Sequence, residues 1–292
     1  MSDLAEHASR ATTVAIIRKK VMASLTRRGI RATKVNAVTL RLDSGGYVGL
    51  DNLVDRCLNY SNSSWNDVVE AHVTTLLDMQ KYSDPAHIAS MPDDEFYMRL
   101  RERVAPASLL RQLNEFSYTR PLVDAFDSPR RMLNLTFPDL ALTLPDVALV
   151  GRDLETAWAF GRANTAAMKF DRRESMIKDN ITIDVLRGDS IYLASKVADM
   201  PTFIDRYLDE APFGVLFTIP NAYEIDNFLP RTFEETARAA ELMVGVAQML
   251  SRDTPNPLSD HVYFWRDGEY CQVSGDASAG VFAATLRELH EL

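Results

Sequence analysis

Cysteine is almost missing from this chain of 292 residues: only Cys57 and Cys271 occur, far apart and in no C-x-x-C pair. That excludes a disulfide framework, a cysteine-rich zinc site and dithiol redox exchange, and it predicts two buried, reduced thiols and a reducing, cytoplasmic setting. Histidine is scarce too, with five residues and no pair at the i, i+4 spacing that places two imidazoles on one metal, so no metal site is expected. Long apolar runs are lacking, and Ser2, Asp3 and Glu6 stand where a signal peptide would be basic and then apolar. The expectation is a chain that neither spans a membrane nor is exported. No serine lies in a G-x-S-x-G elbow, and no glycine loop has the G-x-G-x-x-G or P-loop spacing. Neither nucleophilic serine catalysis nor a cofactor has a legible signature.

What is present is ordinary for a folded soluble protein: 46% hydrophobic and 25% charged residues, enough to build a substantial core. The net charge of −9 is unevenly spread. Residues 1–45 hold nine Lys/Arg against Asp3, Glu6 and Asp43, a local +6 that leaves −15 for the rest. An acidic balance disfavours general nucleic-acid binding, which draws its affinity from clustered cations. The basic stretch Arg18, Lys19, Lys20, Arg27, Arg28 alternates with an apolar stripe and lacks aromatic interleaving, which reads as a solvated helix face.

Periodicity predicts a long helix over 3–28 stopped by Gly29, then a hairpin with Val38, Leu40 and Leu42 before a Ser44-Gly45-Gly46 turn and a second run at 47–50. A helix opens at Ser64-Trp65-Asn66-Asp67 with Val69, Val73, Leu76 and Leu77 inward. Between 83 and 150 a short helix over 93–103 precedes apolar runs that Pro121, Pro129, Pro138 and Pro145 limit to short strands. From 151 onward helix and hairpin alternate three times. A helix over 153–168 precedes strands at 181–186 and 191–194 around Gly188-Asp189, and a helix over 201–208 precedes strands at 215–219 and 223–228. A capping box at Thr232–Glu235 opens a helix to about 250, before a last hairpin and a final helix. The fold class is α+β, antiparallel hairpins alternating with helices, in an N-terminal region 1–150 and a C-terminal region 151–292 that could also form one domain.

Asp267-Gly268 is a type I′ turn pair, which sets Arg266 opposite Glu269, Trp265 opposite Tyr270, Phe264 opposite Cys271 and Tyr263 opposite Gln272. One face is then apolar. The other carries His261, Tyr263, Trp265 and Tyr270, polar-tipped rings of the kind enriched at interfaces. The competing expectation is that the final helix covers them. Carboxylate clusters at Asp93-Asp94-Glu95, Asp205 with Asp209 and Glu210, and Glu234-Glu235 suit helix ends and solvated faces, since acid–base catalysis needs two carboxylates held across a substrate. The sole histidine with a built-in orienting partner is His261, beside Asp260.

Three segments carry a likeness to a known family: Gly188-Asp189-Ser190-Ile191-Tyr192-Leu193-Ala194-Ser195, then Gly214-Val215-Leu216-Phe217-Thr218-Ile219-Pro220-Asn221, then residues 257–268, PLSDHVYFWRDG. In order and spacing they resemble the YtpQ-like family of uncharacterised bacterial cytoplasmic proteins. The resemblance covers about residues 180–273 and implies an α+β fold with no attached activity. The leading expectation is a non-enzymatic protein-binding factor, an adaptor, chaperone-like protein or immunity-type inhibitor, that uses a sheet face or edge through Tyr263, Trp265, Tyr270 and His261. The alternatives are a small-molecule hydrolase with a site assembled from distant residues around His261 and Asp260, and weak nucleic-acid association through the basic helix.

Overall fold

The computed structural model describes residues 2–35, 37–43, 47–82, 85–110, 115–137, 140–252, 254, 256–275 and 280–292. The chain divides into two compact units, Met1–His87 and Ile88–Leu292. The division falls well before residue 150, because the segment after His87 builds a sheet that packs inside the second unit.

In the first unit, helix α1 (Ser2–Arg27) ends as the sequence predicts. Ile30 N–H donates to the Leu25 carbonyl and Gly29 N–H to that of Thr26, with Gly29 at φ +77°, a paired closure that a left-handed residue permits. Strands β1 (Ala32–Lys34), β2 (Thr39–Leu42) and β3 (Tyr47–Gly49) form an antiparallel sheet, and the expected Ser44-Gly45-Gly46 turn lies outside the described residues. Helix α2 (Asp51–Leu58), which the pattern reading passed over, buries Leu53, Val54 and Cys57 beside Ile17, Val21 and Leu25 of α1 and Val69 and Val73 of α3 (Trp65–Tyr82). The basic face of α1 is engaged within this unit. Arg18 donates to the Ala37 carbonyl at 2.7 Å, Lys20 to Asn66, and Arg27 and Arg28 both hold Glu70.

Helices α4 (Pro85–Ala89) and α5 (Asp93–Arg99) lead to strand β4 (Leu100–Ala105). The helix expected to reach 103 therefore stops four residues early, because Leu100, Glu102 and Val104 alternate inward at the period of a strand. After α6 (Ala107–Leu110), strands β5 (Arg120–Pro121), β6 (Arg130–Phe137) and β7 (Leu140–Thr143) complete a four-stranded antiparallel sheet with β6 at its centre. Helix α7 (Leu154–Ala166), capped by Asp153 on Thr156 N–H at 2.7 Å, lies against β4 and β6. Gly161 permits the approach: a Cβ there would stand 2.7 Å from Leu133 Cδ2 and 3.2 Å from the Glu102 nitrogen.

The larger sheet has six strands, β8 (Arg172–Lys178), β9 (Ile181–Arg187), β10 (Val215–Thr218), β11 (Glu224–Phe228), β12 (Val262–Arg266) and β13 (Glu269–Gln272), in the order β13-β12-β10-β11-β9-β8. Every pairing is antiparallel. Here one expected hairpin is wrong. The partner of β9 is β8, through a turn at Asp179-Asn180 with φ of 51° and 64°, and 191–194 is not a strand. Residues 172–178 carry almost no apolar alternation because β8 is an exposed edge, whereas Tyr192, Leu193, Ala194 and Val197 are buried and coil into a 3-10 helix, Ala194–Asp199, before α8 (Met200–Tyr207). The last hairpin keeps its predicted register, with Asp267 and Gly268 at φ 51° and 89°.

Alternation sorts the large sheet into two faces. Ile183, Leu216, Phe228, Phe264 and Cys271 pack under α9 (Phe233–Arg252) and α10 (Gly280–Glu291). Leu186, Val215, Phe217, Ile225 and Tyr263 pack on the other side against residues 193–203 and against Val104 and Leu122 of the small-sheet region. Thr232 Oγ1 accepts from Glu235 N–H at 3.3 Å, the cap expected for α9.

Candidate functional site

The aromatic face of the last hairpin is an interior surface. Tyr263 is fully buried, its hydroxyl 2.6 Å from Ser259 Oγ and its ring 5.6 Å from that of Phe217. Tyr270 donates to the Val197 carbonyl at 2.8 Å and accepts from Met200 N–H at 3.3 Å, while Trp265 packs partly buried against the same core. Residues 193–203 cover these rings. Helix α10 instead covers the apolar face, with Phe282 5.1 Å from Phe264. The segment expected as a strand at 191–194 turns instead into the 3-10 helix Ala194–Asp199, and that helix supplies the covering layer.

His261 is half-buried between two hydroxyl-bearing turns. Its Nδ1 lies 3.2 Å from Ser274 Oγ, and its Nε2 is 3.8 Å from Asp260. This sequence of groups has the connectivity of an acid–base–nucleophile chain, but Ser274 Oγ also accepts Val262 N–H at 2.9 Å and Asp260 is mostly exposed. The contacts pin the mouth of the hairpin. Activation of a nucleophile needs a tighter, oriented carboxylate behind the imidazole.

A different set of side chains converges where β9 and β11 run out beneath the end of α9. Arg172, Arg187 and Glu224 stand side by side in one cross-strand row, Arg172 opposite Arg187 and Arg187 opposite Glu224. With Gly188, Asp189, Asn221, Tyr223 and Thr254 they line a cleft of about 420 Å³. Arg187 bridges two carboxylates, donating Nη2 to Glu224 Oε1 and Nη1 to Glu174 Oε2, each at 2.8 Å. Asn221 shapes the turn between β10 and β11, accepting Tyr223 N–H on Oδ1 at 2.8 Å and placing Nδ2 3.5 Å from Glu224 Oε2. Arg172 is exposed and forms no ion pair among the described residues.

Behind this wall, on the same face of β11, lies Asp226. Only 1% of it is exposed, and neither carboxylate oxygen has a hydrogen-bond partner among the described residues. Burial, and then the adjacent charge of Glu224, hold its pKa well above the ordinary carboxylate range, with Arg187 offsetting part of the effect. Glu224 is held by the Arg187 guanidinium, whereas Asp226 has no cation in contact with it among the described residues.

Two other buried charges, Glu102 and Lys196, have partners, whereas the buried Nε of Arg103 has none among the described residues. Glu102 receives Arg131 at 2.5 Å under α7. Lys196 donates Nζ to the carbonyls of Thr165, Ala166 and Met168 and approaches the Tyr207 hydroxyl at 3.2 Å, so it closes the C-terminus of α7. Cys57 and Cys271 are free and buried, and burial raises both thiols. Among the described residues, no group of three His, Cys, Asp or Glu side chains is placed to hold a metal ion, and no helix is long and apolar enough to cross a membrane.

Glu224 and Asp226 escaped the sequence reading although their strand was anticipated. Two acids at i and i+2 within an apolar strand share one face, which was the available signal. Their arginine comes from β9, and only sheet pairing brings it there. Comparison with known protein families, curated proteins and solved structures finds no match to this chain, so function is argued from the site alone.

Proposed function

We propose that the cleft above Glu224 and Arg187 binds a small polar ligand carrying a carboxylate or phosphate, and that the Glu224–Asp226 pair exchanges a proton with it. The observation that carries this reading is the buried carboxylate pair. Desolvating acids side by side costs several kcal/mol that an apolar strand would not, and such perturbed groups at a cleft wall are concentrated at functional sites. Arg172 and the outer edge of Arg187 offer guanidinium donors to the anion. Tyr223 and Asn221 line the same cleft. Glu224 is the group placed to take a proton, with Asp226 behind it as the reserve.

A panel of small carboxylates and phosphates screened by thermal shift, with positives titrated calorimetrically, tests the proposal. Arg187→Met is expected to weaken any genuine ligand at least ~10-fold, the effect of about 1.4 kcal/mol from a lost charge-assisted pair. Glu224→Gln should retain much of the binding but release the proton uptake or loss that accompanies it. Ligands that bind both variants as they bind the parent would end the idea.

A second reading keeps the protein-partner expectation but moves it to the sheet edge. Strand β8 pairs only with β9 among the described residues, is exposed along nearly its whole length, and presents Ile177 at 73% exposure. An open edge can accept an extended segment of another protein. In this reading Ile177→Lys abolishes co-purification of a partner from native lysate and leaves the melting temperature within a degree or two, about what a surface change costs. A partner retained by that variant would place the contact elsewhere.

A further inference from the structure

On the opposite face of the β8–β9 hairpin a second cavity opens, of about 520 Å³. Arg173 and Leu186 are cross-strand partners that alternate with Arg172 and Arg187, so they face away from the Glu224 cleft. Lys169, Phe170, Arg206 and Tyr207 complete most of the lining. In a chain of net charge −9, the described residues wall this cavity with three cations and two aromatic rings and with no carboxylate.

The cations are only partly satisfied. Arg206 spends Nη1 on the Ala166 carbonyl at 2.7 Å, and Arg173 gives Nη2 to Asp184 at 2.9 Å, which leaves each guanidinium further donors. Lys169 is exposed and has no ion-pair partner among the described residues. The rings are fixed. Phe170 and Tyr207 meet edge to face with centroids 4.5 Å apart, Phe170 also meets Phe203 at 6.1 Å, and the buried ammonium of Lys196 sits 5.0 Å and 5.4 Å from the Tyr207 and Phe170 centroids. A rigid aromatic corner beside exposed cationic side chains recognises a flat ring that carries a negative group.

The geometry points to a mononucleotide site, with the base against Phe170 and Tyr207 and the phosphate taken by Lys169, Arg173 and Arg206. The volume lies within the range of pockets that hold one ligand of this size. A longer single strand would require a line of stacking platforms and a basic track, and the surroundings supply one corner in an acidic protein. A simple inorganic anion would leave the rings without a role.

Isothermal titration of the full chain with AMP tests this, beside adenosine and inorganic phosphate alone. Saturable AMP binding is expected, tighter than either fragment, and weakened at least ~10-fold in the double variant Lys169→Ser, Arg173→Ser, whose side chains are exposed and outside the core. Arg187→Met, which is expected to weaken any ligand of the cleft on the other face, should leave AMP binding unchanged and so separates the two sites. The inference is overturned if AMP fails to bind up to about 1 mM, if phosphate alone binds as tightly as AMP, if the double variant binds AMP like the parent, or if Arg187→Met abolishes binding.

Discussion

Lys196→Met is expected to destabilise the protein by on the order of 3 kcal/mol, a fall of roughly 6–12 °C in the melting temperature of its larger unit. The last carbonyls of a helix have no partner inside it. At the end of α7 those of Thr165 and Ala166, and that of Met168 just beyond, converge on one ammonium that is itself only 3% exposed, while Met168 N–H, Arg206 Nη1 and the Tyr207 hydroxyl each supply one of them with a second donor. Methionine keeps the unbranched shape, removes the shared donor from all three carbonyls and deletes a positive charge from the negative end of the helix dipole. Burial, and secondarily the neighbouring Arg206, push the Lys196 pKa down to about 8 from 10.5. The sign of the linkage follows: between those values the unfolded chain holds the proton and the folded one does not, so stability contributed by this group rises with pH there. Thermal melts of parent and variant at pH 7 decide the matter. A variant within about 1 kcal/mol of the parent would mean that desolvating the ammonium cancels its hydrogen bonds, and the helix-closing role would be lost.

Asp226→Asn is expected to change the pH dependence of stability more than any other single substitution. A carboxyl whose folded pKa is raised binds its proton more tightly in the folded state. Its contribution is complete below the unfolded value near 4 and is lost as pH climbs toward the folded value. Through that interval the parent should lose up to about 1.4 kcal/mol per pH unit from this one group. Asparagine keeps the shape and cannot ionise, so the slope should shrink by one proton and the variant should be the more stable protein at pH 8. Urea unfolding at pH 5, 6, 7 and 8 measures both quantities. Parallel stability curves for the two proteins would show that Asp226 ionises in the folded state as it does in the unfolded one, and the proton reserve behind Glu224 would not exist.

Local rules in the sequence carried a long way where a segment's neighbours are close in the chain. Gly29 after an apolar stripe dictated the end of α1, Thr232 the start of α9, and Asp267-Gly268 a register that holds from Tyr263–Gln272 to Arg266–Glu269. The same rules misread β8, because an edge strand exposed along its length needs no apolar alternation, and they read a strand at 191–194, where the chain turns into the 3-10 helix Ala194–Asp199. That second error also misjudged the site. With a strand at 191–194, the rings of Tyr263, Trp265 and Tyr270 have no cover and look like a docking surface. With a buried helical layer there, they are core.

By itself, then, the order of residues determined the α+β class, the helix ends, the tight turns and the side of each anticipated strand that faces inward, since these depend on backbone sterics and on periodicities of two and 3.6. Tertiary structure alone decided which face is covered and which charges meet. Arg187 reaches Glu224 because β9 pairs with β11, although the two residues stand 37 positions apart in the chain. Burial of Asp226, which raises its proton affinity, likewise depends on the strands paired on either side of β11, which come from distant parts of the chain. Desolvation and Coulomb forces act through space, and their strength is set by neighbours that no local stretch of sequence names.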